Sequence, residues 1–277
     1  MFATDGAVDP SADDRERPQA HHDFVQSPRR RVPQSDGSWN GAETMEELLT
    51  IEAGDGRFTA LVVCPDDPGP APVIVVLQEI FGVNAGIRQI AAEYAVQGYI
   101  AVCPDLFWRF EPGLSLSEHT EANWQKGFDY YGRYDFDQGA DDILRTIATA
   151  RTLDGGNGKV GLTGYCLGGL LTFLGAARGQ PDVAVVYYPG GAERYVGEGG
   201  QVSCPLLMHL AGEDEYIGPA ARETIVSALS DQPNIEIHVY PGRNHAFARP
   251  GGDHYDEADA LTANGRTQAF FRKHLSA

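Results

Sequence analysis

The sequence predicts an α/β domain built on a doubly wound, mostly parallel sheet with helices on both faces. Three observations carry that reading. Apolar runs of strand length alternate with stretches of helix length along most of the chain. PVIVVLQE at 72–79 is apolar without alternation, as in a strand covered on both faces. KVGLTGYCLGGLLTFLGAA at 159–177 passes from a short strand, through a glycine-rich turn, directly into an apolar helix.

Taken in order, residues 1–40 are polar, proline-bearing and without apolar period, and are expected to form a disordered N-terminal extension. Residues 41–277 are expected to form one domain, with no internal repeat and no second boundary. ELLTIEA and RFTALVV, separated by Gly54-Asp55-Gly56, read as an antiparallel hairpin. The strand at 72–79 is followed by a helix over about 85–97, with Asn84 as N-cap and Gly98 as its stop. YIAVCPD at 99–105 is the next strand. Residues 106–135 hold many aromatics with little regular period, so this segment is expected to be an irregular pocket wall or lid. A helix over 137–152 leads into the strand at Val160–Thr163 and its following helix. Strands then come at 183–189, 205–211 and 235–242, with helices at about 219–229 and 256–274.

Composition bounds the function. The chain has 277 residues and is 42% apolar, enough for a sizeable core, and no run reaches the length of a membrane span. Formal net charge is −18, and residues 1–40, with seven acids and five arginines, account for little of it. An acidic folded part argues against nucleic acid as a partner, because phosphate binding needs a basic face. Any anionic substrate must be met by arginines placed locally against the general field. Arg29-Arg30-Arg31 is not followed by an apolar segment, so neither a Sec nor a Tat leader is expected. Cysteines at 64, 103, 166 and 204 match neither a disulfide framework nor a zinc pattern. A cytoplasmic protein with no metal and no cofactor is the simplest expectation; the oligomeric state is open.

Gly164-Tyr165-Cys166-Leu167-Gly168 has the form of a nucleophile elbow, G-x-S-x-G, with cysteine in the serine's place. Such a turn holds its nucleophile in a strained conformation at a helix N-terminus, where free N–H groups and the helix dipole favour a thiolate and an oxyanion. The bland alternative is a small buried cysteine in a glycine-rich turn. A cysteine nucleophile needs a base, and the base needs an orienting acid. Of eight histidines, His245 in GRNHAFAR lies just beyond a predicted strand. His209 sits inside an apolar strand and is expected to be a satisfied core residue, and His238 to face water. After PLLMHLA, spacing alone leaves Glu213, Asp214 and Glu215 open for the acid. Glu79 ends the buried strand at 72–79, as a site carboxylate or a strand-end charge. Arg109 and Arg249 follow PDLFW and HAFA, just past predicted strand ends.

With these pieces in place, the sequence resembles the dienelactone hydrolase (carboxymethylenebutenolidase) family over roughly residues 44–275. The resemblance rests on QEIFGVN at 78–84, PDLFWR at 104–109, GYCLGG at 164–169, AGEDEYI at 211–217 and NHAFAR at 244–249. It implies an α/β-hydrolase fold and a Cys166-His245-Asp214 triad, and it selects Asp214 from the three candidates. It also implies a gating role for Glu79, oxyanion donors at the amides of Ile80 and Leu167, and a substrate carboxylate held by Arg109 and Arg249. The implied partner is a small lactone or ester, with hydrolysis of 4-carboxymethylenebut-2-en-4-olide to maleylacetate, a step of chloroaromatic breakdown, as the family reaction. The alternatives are a broader carboxylesterase or thioesterase, a non-catalytic binding protein, and a metal hydrolase using His209, Asp214 and His245.

Overall fold

The computed structural model describes residues 30–32, 44–65 and 69–276. Most of the extension expected over residues 1–40 lies outside the described residues. Within it, Arg30–Val32 forms a short strand, β1, antiparallel to β2 (Thr44–Glu52), which departs from the expectation of disorder there. β2 turns back through Gly54-Asp55-Gly56 into β3 (Arg57–Pro65), as the hairpin signal requires.

The remaining strands are β4 (Ala71–Leu77), β5 (Ile100–Pro104), β6 (Gly156–Tyr165), β7 (Val183–Tyr187), β8 (Leu206–Ala211) and β9 (Ile235–Tyr240). They complete a nine-stranded sheet in the order β1-β2-β3-β5-β4-β6-β7-β8-β9. From β5 to β9 every pairing is parallel. The chain runs from β4 to β5 in one direction and then returns past β4 to reach β6. Strand order therefore reverses around β4, and a crevice opens at the carboxyl ends of β4 and β6.

The helices are α1 (Ala85–Val96), α2 (Glu121–Arg133), α3 (Phe136–Arg151), α4 (Leu167–Arg178), α5 (Pro219–Leu229) and α6 (Glu257–Leu275). Neighbouring residues of β6 show which face each helix covers. Gly161 meets Phe271 of α6, whereas Leu162 meets Gly175 of α4. Because successive side chains point to opposite faces, α6 and α4 lie on opposite sides. Ring contact between Tyr94 and Phe271 puts α1 beside α6, and contact between Ile143 and Gly175 puts α3 beside α4. Covered on both sides, β4, β5 and β7 are almost wholly buried, which is why their sequences do not alternate.

The expectation of an irregular segment over residues 106–135 is corrected in its second half. Thr120 caps α2 by accepting from the Asn123 amide at 3.3 Å, and Glu121 and Arg133 match the helix dipole at its two ends. Gly127 and Gly132 weaken intrinsic helicity, so tertiary packing determines the outcome. Gly127 is required by that packing. A Cβ there would stand 2.8 Å from the Ile80 carbonyl oxygen, so its absence lets α2 lie directly against the loop after β4.

Arg109 does not reach that crevice. Its guanidinium donates to both carboxylate oxygens of Asp55, each at 2.8 Å, and to those of Asp142 at 2.6 and 3.1 Å. It also lies 4.2 Å from the Trp108 ring centroid, and the Trp108 indole donates to Asp142 at 3.0 Å. With four donor contacts committed, Arg109 ties the β2–β3 turn to α3. The substrate-carboxylate role that the resemblance gave it is therefore corrected to a structural one. Arg109→Ala leaves the Asp142 carboxylate buried without its cation, and should lower unfolding free energy by about 2–4 kcal/mol in urea titration. Ester turnover at a temperature where the variant is folded should change little. An unchanged midpoint combined with a selective loss of turnover would reverse the assignment.

Candidate active site

The elbow is set by backbone contacts that leave no room for a Cβ. A Cβ at Gly164 would lie 2.1 Å from the Gly168 carbonyl oxygen, one at Gly168 2.4 Å from that of Leu77, and one at Gly169 2.5 Å from that of Tyr187. These contacts press α4 against β4, β6 and β7 at once. Between them Cys166 takes φ 55° and ψ −114°, a conformation that L-residues rarely adopt, held by Cys166 N–H donating to Tyr187 at 3.2 Å and Gly168 N–H donating to Gln78 at 3.0 Å. Cys166 is the N-cap of α4 and is half-buried, whereas Cys64, Cys103 and Cys204 are buried. Burial pushes the Cys103 and Cys204 thiols up to about 12, which makes them inert.

The amide of Leu167 opens α4, where the first N–H groups have no intrahelical acceptor. Ile80 stands across from it on the loop after β4. The fully buried Gln78 side chain fixes this loop by donating to the Glu79 carbonyl at 3.3 Å and accepting from the Leu106 amide at 3.2 Å.

Asp214 follows β8 and His245 follows β9. Spacing could not separate the three acids of GEDE, but burial does: Glu213 and Glu215 are exposed, and the Asp214 side chain is fully buried. Its Oδ1 accepts from the amides of Tyr216 and Ile217, both at 2.9 Å. His245 Nδ1 lies 3.0 and 2.9 Å from the two Asp214 oxygens. Asn244 locks the two loops together, its Oδ1 accepting from the Glu215 amide at 2.9 Å and the His245 amide at 2.7 Å. His245 Nε2 is buried with no hydrogen-bond partner. Burial works against the imidazolium, but the charges of Cys166 and Asp214 outweigh it and push His245 up to about 10. Cys166 acts in this more through charge than through a directed bond.

Glu79 is 6% exposed, and its Oε2 accepts from Arg249 Nη1 at 2.9 Å. The other oxygen, Oε1, is buried without a partner. Burial disfavours the Arg249 cation, yet the Glu79 carboxylate more than compensates and keeps it charged. The guanidinium also lies 5.5 and 5.8 Å from the ring centroids of Phe81 and Trp124.

Glu79, Ile80, Cys166, His245 and Arg249 line one cavity of about 210 Å³ at the carboxyl ends of the strands. Asp214 stands behind His245. Arg109 is absent from the lining. His209 takes no part, since its ring nitrogens bond Tyr240 at 2.9 Å and Thr267 at 3.0 Å, and burial holds it neutral. Both ring nitrogens being in use, it cannot join Asp214 and His245 around a metal. The cavity also contains residues that the sequence reading had not singled out individually as functional: Trp124, Phe128, Tyr131, Tyr216 and His254. The first three recur at i, i+4 and i+7, a one-face helical spacing that could have been recognised. His254 is within 3.1 Å of the His245 carbonyl oxygen, a contact across nine residues that no local pattern announces.

Comparison with known proteins identifies the family. The dienelactone hydrolase family profile matches residues 58–275. The chain is 42% identical over 234 residues to a protein of Azospirillum brasilense provisionally named carboxymethylenebutenolidase, covering 82% of this chain and 98% of that one. It is 40% identical over 227 residues to the carboxymethylenebutenolidase of Pseudomonas putida, covering 82% and 96%. A crystal structure from Klebsiella pneumoniae, provisionally assigned as a dienelactone hydrolase, superposes with a TM-score of 0.71 at 26% identity over 83% of this chain and 99% of that chain. The chain therefore belongs to the dienelactone hydrolase family, with an α/β-hydrolase fold, and is a carboxylic ester hydrolase.

Proposed function

We propose that the protein hydrolyses an enol-lactone, or an ester with a similarly activated leaving group, through a covalent Cys166 thioester. One observation carries the reading. A thiol on a strained left-handed elbow at a helix N-terminus shares its cavity with a buried imidazole–carboxylate pair. The Cys166 thiol passes its proton to His245 as its sulfur attacks the carbonyl carbon, and the amides of Ile80 and Leu167 receive the oxyanion. Collapse of the tetrahedral intermediate breaks the ring C–O bond, and the His245 imidazolium gives its proton to the departing enolate. His245, now neutral and oriented by Asp214, takes a proton from water as that water attacks the thioester; the C–S bond then breaks and the imidazolium returns the proton to the departing sulfur, which frees the acid and restores the thiol.

Glu79 serves as a gate. Beside the elbow its negative charge disfavours an idle thiolate, while its pairing with Arg249 holds it in place. A carboxylate on the substrate would compete for Arg249 and release Glu79, so Arg249 remains the candidate for that contact. A reducing compartment such as the cytoplasm suits a chain that depends on a free thiol.

Cys166→Ala should abolish turnover of vinyl and lactone substrates, with a loss on the order of a millionfold, while circular dichroism stays native. Near-native turnover by the folded variant would remove the mechanism. Glu79→Gln should speed alkylation of Cys166 by iodoacetamide at neutral pH, and an unchanged rate would leave Glu79 without a gating role. Asp214→Asn removes one of the charges that raise His245. The imidazolium should then lose its proton well below about 10, moving the alkaline limb of the kcat/KM profile to lower pH. Turnover should also fall on the order of a thousandfold or more. A profile whose alkaline limb does not move would show that Asp214 does not act through His245.

A further inference from the structure

The two peptide groups of His245 are held by side chains. Its N–H donates to Asn244 Oδ1 at 2.7 Å, and its carbonyl oxygen accepts from His254 Nδ1 at 3.1 Å. The next residue, Ala246, sits at φ 61°, a left-handed conformation that a residue with a Cβ holds only where its surroundings enforce it. His245 therefore stands on a strained turn, beyond the strand pairing that ends at Tyr240.

Hydrogen-bond capacity assigns the His254 tautomer. Asn244 Oδ1 accepts from the amides of Glu215 and His245, which fixes its Nδ2 on the opposite side as a donor. That Nδ2 faces His254 Nε2 at 3.3 Å, so Nε2 accepts and the ring hydrogen stays on Nδ1, where the His245 carbonyl receives it. Glu215 Oε1 lies farther from Nδ1, at 3.6 Å. The stretch around His254 is itself anchored to the histidine loop. The Asp256 amide donates to the Phe247 carbonyl at 3.0 Å, and the carboxylates of Asp256 and Asp259 pair with Arg243. Residues 254–256 thus form a strap along that loop, and through His254 the strap reaches the base.

Resting on the hydrolase reading above, we propose that His254 is a positioning residue for His245. Its Nδ1–H holds the His245 carbonyl against the strain at Ala246, which keeps the imidazole turned between Asp214 and the elbow. Although His254 also lines the cavity, this role runs through the backbone of the base and needs no contact with substrate.

His254→Leu removes the donor at similar bulk, whereas His254→Asn restores an N–H bonded to Cγ, where Nδ1 stands in histidine. With vinyl butanoate, His254→Leu should lower kcat by about tenfold or more, the scale that misplacing a reacting group imposes, with KM changed by less than about threefold. Alkylation of Cys166 by iodoacetamide, which uses the base but no bound ester, should slow as well. The downfield proton NMR signal of His245 Nδ1–H on Asp214 should broaden. His254→Asn should recover most of each loss. His254→Ala carries the same expectation as the leucine variant and replaces it if that variant does not fold. A change in KM alone, with alkylation and the NMR signal as in wild type, would make His254 a substrate contact and overturn the proposal. A folded leucine or alanine variant that matches wild type, or an asparagine variant with no recovery, would overturn it too. Cys166→Ala keeps the two readings apart. Its inactivity beside a fully active His254→Leu would retain the mechanism and reject the positioning role, and its activity would reject both.

Discussion

The structure depends on how closely four backbones approach one another around Cys166. Gly164, Gly168 and Gly169 each stand where a Cβ would lie between 2.1 and 2.5 Å from a carbonyl oxygen of the same elbow, β4 or β7. No relaxation of side chains relieves such contacts, because the obstructing atoms are main chain. The close approach brings the N-terminus of α4 to the switch point of the sheet and forces the cysteine into its left-handed conformation. It also sets the spacing between the loop that carries Ile80 and the amide of Leu167. Strain at Cys166 is sustained because its own amide and that of Gly168 are held by the carbonyls of Tyr187 and Gln78.

A second constraint is electrostatic. The protein is strongly acidic, yet the acids close to the chemistry are not left to repel one another. Asp214 is held by two amides and an imidazole, Glu79 by one guanidinium, and Asp142 by Arg109 and an indole. Each of these three buried carboxylates thus has a partner, as burial of charge demands. The same rule explains why Arg109 is unavailable to a ligand: removing it from Asp142 would strand a charge in the interior.

Much of this was legible in the sequence because short-range patterns encode it. The non-alternating run at 72–79 marks a strand covered on both faces, and G-x-C-x-G-G marks a backbone crossing, so the sheet and the elbow followed from local chemistry. Arg109 illustrates what did not follow. Its position past a strand end was read correctly, but its direction depends on Asp55 and Asp142, 54 and 33 residues away. The helix at Glu121–Arg133 was obscured by glycines whose reason is a contact with Ile80, again remote in sequence. Choosing among Glu213, Asp214 and Glu215 required knowing which of three adjacent acids turns inward, a matter of turn geometry more than composition.

Gly127 carries a consequence for how such an enzyme can diversify. The helix bearing Trp124, Phe128 and Tyr131 is pinned to the oxyanion loop at a point where no side chain intervenes. Its axis is therefore fixed by the catalytic apparatus, while three side chains on its inner face remain free to vary. Exchanging those three residues would reshape this wall of the cavity while leaving the elements that carry Cys166, His245 and Asp214 in place. Replacing the glycine would have the opposite effect, shifting helix and oxyanion loop together and disturbing every substrate alike. One wall of the cavity and the elbow thus lie on separate elements, with a single glycine as the point where α2 meets the loop after β4.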